Sequence, residues 1–531
     1  MSFLSIRNLS LSIGKVDILH SISIDLEPGK ILAITGESGS GKSLTALATM
    51  ALLPRDSLAS GSIFLGETDI LKTSEAGLCQ IRGREMGMVF QEPMTALNPV
   101  KTIGHQVAET IKIHEKVSKL EADNRATDML HRVGLKVSPK RYPHELSGGQ
   151  RQRVVIAMAI ALRPKFLIAD EPTTALDVTT QARILELLKD LVVSFNMGLL
   201  IITHDLAVVA QIADKIAVMQ SGRIVEAAET KELLQNIKHP YTRALFNAST
   251  HKVVLPEFTP SMPLLMVKSV DRTYNLPRTN VFGAQPQLQA LKNVSFHIER
   301  GERVGLVGES GCGKSTLTRA ILGLEQVQSG QINLNGQPVF SGKGLNLDVR
   351  RKMQVVFQDP YSSFNPRHRV DRLIAEPLHV LKNPPVGEAR GLAILKALED
   401  VGLAAADAKK YIHEFSGGQR QRIAIARALI IEPELIIFDE AVSALDVSVR
   451  AQVLDLIASL CRKRSLAYLF ISHDLSVVST VTDRVIIMKS GKIVEEGQTQ
   501  QIFSDPQNSY TQMLISAAPK IPEVTDAINT V

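Results

Sequence analysis

Cysteine is scarce: the 531 residues include only Cys79, Cys312 and Cys461. Three cysteines cannot build a disulfide framework, and their spacing is not that of a metal site, so a reducing compartment is expected. A strong excess of one charge is also missing. Lys and Arg number 60 against 54 Asp and Glu, a net charge of +6. Basic residues gather only in short clusters such as Arg462-Lys463-Arg464, which argues against a dedicated nucleic-acid binder. Long apolar runs are absent too, although mean hydropathy is +0.07. The longest, Val154 to Leu162, falls far short of the roughly 18 residues a membrane-spanning helix needs. The opening Met1-Ser2-Phe3-Leu4-Ser5-Ile6-Arg7 has no basic stretch leading into an apolar one, so no secretory signal is read there. The expectation is a cytoplasmic chain that does not itself cross a bilayer. What is present, 44% hydrophobic and 21% charged residues, fits a folded globular protein. At about 150 residues per domain the length predicts two to four domains.

The chain repeats itself. Gly36-Glu37-Ser38-Gly39-Ser40-Gly41-Lys42-Ser43 returns as Gly308-Glu309-Ser310-Gly311-Cys312-Gly313-Lys314-Ser315. Leu146-Ser147-Gly148-Gly149-Gln150 returns as Phe415-Ser416-Gly417-Gly418-Gln419. Ser147 and Ser416, Glu171 and Glu440, His204 and His473, and Tyr241 and Tyr510 all lie 269 residues apart. Each copy is thus a whole domain and not a short solenoid unit. Residues 251–263 read as a short, semi-rigid linker, because Val253 to Pro263 holds three prolines and no glycine. The predicted domains are 1–250 and 264–531.

Each copy reads as α/β. Ile31-Leu32-Ala33-Ile34 and Val304-Gly305-Leu306-Val307 feed straight into the glycine-rich loops. Leu167-Ile168-Ala169, Leu435-Ile436-Ile437-Phe438 and Leu199-Leu200-Ile201-Ile202 have the unbroken apolar character of strands buried on both faces. Ile103, Val107 and Ile111 recur every four residues, the period of a helix. A mostly parallel core sheet with an inserted helical subdomain is predicted in each domain.

The glycine-rich segments are P-loops, as Gly-x-x-x-x-Gly-Lys-Ser after a strand lets successive backbone N–H groups wrap phosphate oxygens at a helix N-terminus. Lys42 and Lys314 would reach the β- and γ-phosphates, and Ser43 and Ser315 would ligate Mg²⁺. A strand ending in paired acids follows in both copies, Asp170-Glu171 and Asp439-Glu440. The first acid would hold Mg²⁺; the second would orient or deprotonate the attacking water.

With Ser147-Gly148-Gly149-Gln150 and Ser416-Gly417-Gly418-Gln419 following the P-loops, the chain resembles the ABC transporter ATPases over nearly its whole length. The resemblance implies ATP as substrate and Gln91 and Gln358 as glutamines contacting Mg²⁺ and water. It implies Asp177 and Asp446 as D-loop residues, and His204 and His473 as switch histidines at the γ-phosphate. It further implies that Lys42 shares a site with Ser416, and Lys314 with Ser147, giving two hydrolytic sites. Family members stack adenine on an aromatic residue; Tyr274 matches in the second domain, whereas Leu11 to Ile13 offers the aliphatic Leu11 and Ile13 and no aromatic residue.

Gln91-Glu92-Pro93-Met94-Thr95-Ala96-Leu97-Asn98-Pro99 and Gln358-Asp359-Pro360-Tyr361-Ser362-Ser363-Phe364-Asn365-Pro366 are similar to the oligopeptide and dipeptide importer subfamily. The tails His239-Pro240-Tyr241-Thr242-Arg243-Ala244-Leu245 and Asn508-Ser509-Tyr510-Thr511-Gln512-Met513-Leu514 are similar to it too. This chain resembles two such subunits fused, as in the microcin C type peptide importers. The resemblance implies two transmembrane permeases and an extracytoplasmic peptide-binding protein as partners, at the cytoplasmic face of the cell membrane. Many members carry a cysteine-ligated iron–sulfur cluster beyond the tail; no cysteine follows Cys461, so none is expected. Two other readings stand beside peptide import: an importer ATPase for a non-peptide cargo such as nickel, and a soluble tandem ATPase acting on ribosomes. The short linker and the lack of a long charged helix weigh against the second.

Overall fold

The computed structural model describes residues 3–174, 176–276, 285–341 and 344–521. They form two compact units, one mainly within Met1–Leu176 and Thr180–Thr250, the other mainly within His251–Ala518.

The first unit is centred on a six-stranded sheet in the order Arg223–Glu229, Lys215–Gln220, Ile31–Thr35, Gly198–Ile202, Phe166–Asp170, Met86–Val89. All neighbours pair in parallel except the hairpin Lys215–Gln220/Arg223–Glu229, which is antiparallel. Every residue of Ile31–Thr35, Phe166–Asp170 and Gly198–Ile202 is buried, as their continuous apolar sequences predict. A second, antiparallel sheet of four strands is built from Val16–Leu26, Leu4–Ile13, Ser57–Leu65 and Thr68–Asp69. Between Met86–Val89 and the helix Gly148–Ala159 lie the helices Ile103–His114 and Lys119–Arg132. Ile103, Val107 and Ile111 are fully buried along one face of the first of these.

The second unit repeats this plan. Its six strands run Met353–Val356, Leu435–Asp439, Ala467–Ile471, Arg303–Val307, Arg484–Lys489, Lys492–Gln498. Its antiparallel sheet contains Gln287–Glu299, Pro263–Asn275, Ser329–Leu334 and Gln337–Pro338. Its helical segment differs, with a short helix Val370–Ile374 followed by Gly387–Asp400. Residues 251–262 carry neither helix nor strand and are laid along this second unit. Arg462 donates to the Val254 carbonyl at 2.9 Å, Arg303 to the Pro256 carbonyl at 2.6 Å, and His251 meets Asp455 at 2.8 Å.

Parallel pairing sends the carboxyl ends of the strands to one edge of each sheet, where such folds bind their ligands. Ile31–Thr35, Gly198–Ile202, Phe166–Asp170 and Met86–Val89 are consecutive neighbours. Their ends therefore deliver the P-loop, His204, Asp170-Glu171 and Gln91 side by side. Arg303–Val307, Ala467–Ile471, Leu435–Asp439 and Met353–Val356 do the same for the second copy.

Candidate active site

Each P-loop turns into its helix at a glycine in the left-handed region, Gly41 at φ 100° and Gly313 at φ 113°. A Cβ on Gly41 would lie 2.5 Å from Leu19 Cδ2, and one on Gly313 2.5 Å from the Ala290 carbonyl oxygen; only glycine fits there. The helices Lys42–Thr49 and Lys314–Ile321 start on the lysines, so their free N–H groups face the loop interior. Lys42 is buried, and its Nζ donates to the carbonyls of Gly36 and Glu37, each at 2.8 Å. Lys314 Nζ repeats this with Gly308 at 2.6 Å and Glu309 at 3.0 Å. Where the first loop has Ser40 the second has Cys312, buried and 3.9 Å from Lys314 Nζ. Burial pushes the Cys312 thiol above its usual range, so the reactive thiolate is disfavoured.

The acidic pairs stand at the sheet edge as expected. Ser43 Oγ donates to the buried Asp170 carboxylate at 3.3 Å. Burial raises the Asp170 carboxyl above the usual carboxylate range, against the Ser43 bond. Asp439 is raised for the same reason. Glu171 and Glu440 both adopt the left-handed backbone, at φ 47° and 51°, which costs a residue with a side chain about 1–2 kcal/mol. Each is pinned there by its N–H, which donates at 2.9 Å to the carbonyl ending the adjacent strand, Ile202 or Ile471.

Three side chains grip Glu171. Its Oε1 meets His204 Nδ1 at 3.0 Å; its Oε2 accepts from Gln91 Nε2 at 2.8 Å and from Thr174 Oγ1 at 2.9 Å. Burial alone would raise this carboxyl, but His204 and Thr174 bring it below its ordinary value. In the second unit His473 Nδ1 lies 3.4 Å from Glu440 Oε1. Ser443, at the position of Thr174, donates to the Glu440 backbone carbonyl at 2.9 Å and not to its carboxylate. Gln358 Nε2 points at Ser443 Oγ, 3.4 Å away. Burial acts to lower the His473 imidazole, but the Glu440 and Asp474 carboxylates together raise it above its ordinary value. Glu440 is held below its own, again against burial.

The signature segments open helices. Ser147 and Ser416 are N-caps, each hydroxyl accepting at 3.4 Å from the N–H of Gln150 or Gln419. Those glutamines, expected at the nucleotide, turn back and accept the serine N–H at 3.0 Å. The result is a reciprocal capping box. Gly149 and Gly418 pack so closely that a Cβ would come within 2.2 Å of Thr180 and Val449 respectively. Tyr274 donates its hydroxyl to Glu325 at 2.7 Å and lies 3.4 Å from Thr316, next to the P-loop helix start. One face of its ring is covered by the Arg272 guanidinium, 4.8 Å from the centroid. Leu11 in the first unit is a core residue.

Sequence reasoning missed two contacts. Thr174 is the hydroxyl on Glu171, and nothing in Glu-Pro-Thr-Thr-Ala-Leu-Asp singles it out. The tail tyrosines, flagged by the 269-residue offset and the subfamily-like tails but not for any contact, reach the P-loops: Tyr241 Oη accepts the Glu37 N–H, and Tyr510 Oη the Glu309 N–H, both at 3.1 Å.

Family models agree with this architecture. The model described as ABC transporter matches residues 19–174 and 291–443. That described as the C-terminal region of oligopeptide/dipeptide transporters matches 225–253 and 494–530. The peptidoglycan transport ATP-binding protein YejF of Agrobacterium fabrum is 44% identical, over 98% of this chain and 97% of its own. The glutathione import ATP-binding protein GsiA of Salmonella choleraesuis is 44% identical, over 95% of this chain and 87% of its own. Among solved structures, the ATP-binding cassette MJ0796 bound to ADP and Pi is 28% identical, covering 44% of this chain and 99% of that one, with a TM-score of 0.39. Among the described residues no helix is long and apolar enough to cross a membrane. With two P-loop cassettes and two such C-terminal regions, the chain belongs to the ABC transporter ATPases, the subunits that couple ATP hydrolysis to transport.

Proposed function

We propose that this chain powers peptide uptake, acting from the cytoplasmic face of the cell membrane on two permeases fed by an extracytoplasmic peptide-binding protein. The observation that carries the cargo class is the oligopeptide/dipeptide C-terminal region, which follows each cassette. The import and transport functions in the names of the two relatives point the same way.

The proposed chemistry is assigned residue by residue. Lys42 and Lys314, with the backbone N–H groups of Gly36–Ser43 and Gly308–Ser315 other than those of Glu37 and Glu309, hold the phosphates of ATP; Ser147 and Ser416 belong to the phosphate-side contacts. Glu171 and Glu440 take a proton from water as its oxygen attacks the γ-phosphorus and the bond to the β-phosphate oxygen breaks. A glutamate held below its ordinary pKa is ionised and ready to accept that proton. His204 and His473 hold these carboxylates in place.

The Ser43 hydroxyl, Asp170 carboxylate and Gln91 amide oxygen, and likewise Ser315, Asp439 and Gln358, are hard oxygen donors suited to Mg²⁺. Buried carboxylates raised above their usual range are groups whose charge a divalent cation would offset. When bound, Mg²⁺ supplies charge neutralisation at the β- and γ-phosphates.

The test is reconstitution with the permeases and binding protein in vesicles. Peptide-dependent ATP hydrolysis and peptide uptake are expected, both abolished in a Glu171→Gln/Glu440→Gln variant. Uptake of nickel but of no peptide would overturn the cargo assignment, and co-sedimentation with ribosomes without any permease would overturn the importer reading.

A further inference from the structure

We propose that Tyr241 and Tyr510 are positioning residues for ATP: each fixes its own unit's P-loop from the C-terminal tail helix, through the peptide N–H of Glu37 or Glu309. The proposal rests on the P-loops being the phosphate sites, as assigned above.

The bond is made twice, by segments that share little else. Tyr241 and Glu37 are 204 residues apart, Tyr510 and Glu309 201, yet both distances are 3.1 Å. The flanking sequences, His-Pro-Tyr-Thr-Arg-Ala-Leu and Asn-Ser-Tyr-Thr-Gln-Met-Leu, agree only at the tyrosine, the threonine and the leucine. The tyrosine lies in the first turn of its helix, Pro240–Ser249 or Ser509–Ala517. That turn is anchored independently in each unit. His239 Nδ1 caps the Tyr241 N–H at 3.2 Å; Asn508 Oδ1 caps the Tyr510 N–H at 2.9 Å. The Glu226 carboxylate accepts the N–H groups of Lys238 and His239 at 2.8 and 3.1 Å. Glu495 accepts those of Gln507 and Asn508 at 2.7 and 3.2 Å. An imidazole cap in one unit and an amide cap in the other thus bring the same hydroxyl to the same place.

The peptide that receives the hydroxyl is engaged from both sides. The Glu37 N–H goes to Tyr241, and the Glu37 carbonyl accepts Lys42 Nζ at 2.8 Å. Glu309 stands likewise between Tyr510 and Lys314. The tyrosine therefore acts on the loop that carries the phosphate-binding lysine, and it does so from outside the ring of N–H groups that would face phosphate. A loop held before the nucleotide arrives loses less freedom on binding. Its loss should weaken ATP binding and leave the chemical step unchanged, since no reacting atom is touched. Burial keeps the Tyr510 phenol above its ordinary range, so it remains a neutral acceptor near neutral pH. A displacement of the tail helix would accordingly be felt as a change in nucleotide affinity.

The experiment uses the full chain, with Tyr241→Phe, Tyr510→Phe and the double variant beside a Lys42→Ala/Lys314→Ala control. ATP affinity, steady-state kcat and KM, and Tm with and without ATP are measured. The double phenylalanine variant is expected to raise Kd and KM for ATP about tenfold, or about 1.4 kcal/mol, with kcat within about twofold. A Tm lowered equally with and without ATP, at unchanged Kd and KM, would reduce the hydroxyls to fold supports and overturn the proposal. If the double variant does not fold, each single variant should show a weakened class of ATP sites beside an unaltered one. Two unaltered classes would refute the proposal. Full ATP binding by the lysine control would instead overturn the P-loop assignment itself, whatever the tyrosine variants do.

Discussion

Glu171 and Glu440 sit on the same left-handed turn, with the same N–H bond to a neighbouring strand, yet their carboxylates are held differently. In the first unit His204, Gln91 and Thr174 converge on Glu171. In the second, His473 alone approaches the carboxylate among the described residues, and Ser443 and Gln358 bond each other instead. The backbone, set by parallel register, is common to both. The side chains around it are not: Pro172, Thr173 and Thr174 face Ala441, Val442 and Ser443 as their counterparts. A single methyl separates Thr174 from Ser443. Threonine is rotamer-restricted by that branch, and its hydroxyl lies on the carboxylate, where the serine hydroxyl falls back on a backbone carbonyl. Two cassettes of one chain thus carry the same proposed catalytic set at different degrees of restraint.

The bluntest way to break the comparison is Glu171→Gln against Glu440→Gln. Each should stop hydrolysis at its own site by about 10²–10⁴-fold, with ATP binding retained, as read by single-turnover assays. If either single variant leaves total ATPase unchanged, the two-site reading fails. Smaller and more discriminating is Thr174→Val beside Ser443→Ala. A hydrogen bond to a charged group is worth about 1.5–3 kcal/mol, so Thr174→Val should cost about tenfold in kcat or more, while Ser443→Ala costs less than about twofold. Gln91→Ala and Gln358→Ala should follow the same order, because only Gln91 touches the glutamate. Equal losses in either pair would erase the asymmetry.

The smallest effect is in pH. The raised His473 and lowered Glu440 stabilise the second unit most between their two values. The histidine's share is complete below its ordinary value of about 6.5 and is lost as pH climbs through the raised one. The glutamate's share is complete above its ordinary value of about 4.3 and is lost as pH falls through the lowered one. Wild-type Tm should therefore decline on the alkaline side by less than about 4 °C, and His473→Gln should flatten that decline.

Much of this was legible in the sequence, for reasons that particular residues make plain. Strands buried on both faces need unbroken apolar runs, and Phe166–Ala169 and Gly198–Ile202 announce themselves that way. The antiparallel sheet did not. In Leu4–Ile13 a bulge at Asn8, φ 49°, moves the buried set from Leu4 and Ile6 to Leu9 and Leu11. That shift breaks the period-two pattern a strand is recognised by. The P-loops, acidic pairs and histidines could be picked out because their chemistry demands fixed types at fixed spacing. The Thr174 and Tyr241 contacts could not, since a hydroxyl is common and its partner is chosen by tertiary packing. The capping role of Gln150 was readable in principle, as Ser-x-x-Gln before an apolar run is a helix-start signature.

The turn beneath the two glutamates sets a trade between durability and work. Glycine adopts that backbone without penalty, so the turn itself would gain about 1 kcal/mol from Glu171→Gly or Glu440→Gly, while the carboxylate's bond to His204 or His473 would go with the group proposed to do the chemistry. The backbone alone would favour glycine at these positions. That glutamate stands at both means that the molecule carries a standing tension at the two points where ATP is proposed to be split, held in place by the bonds of the very side chain proposed to do the work.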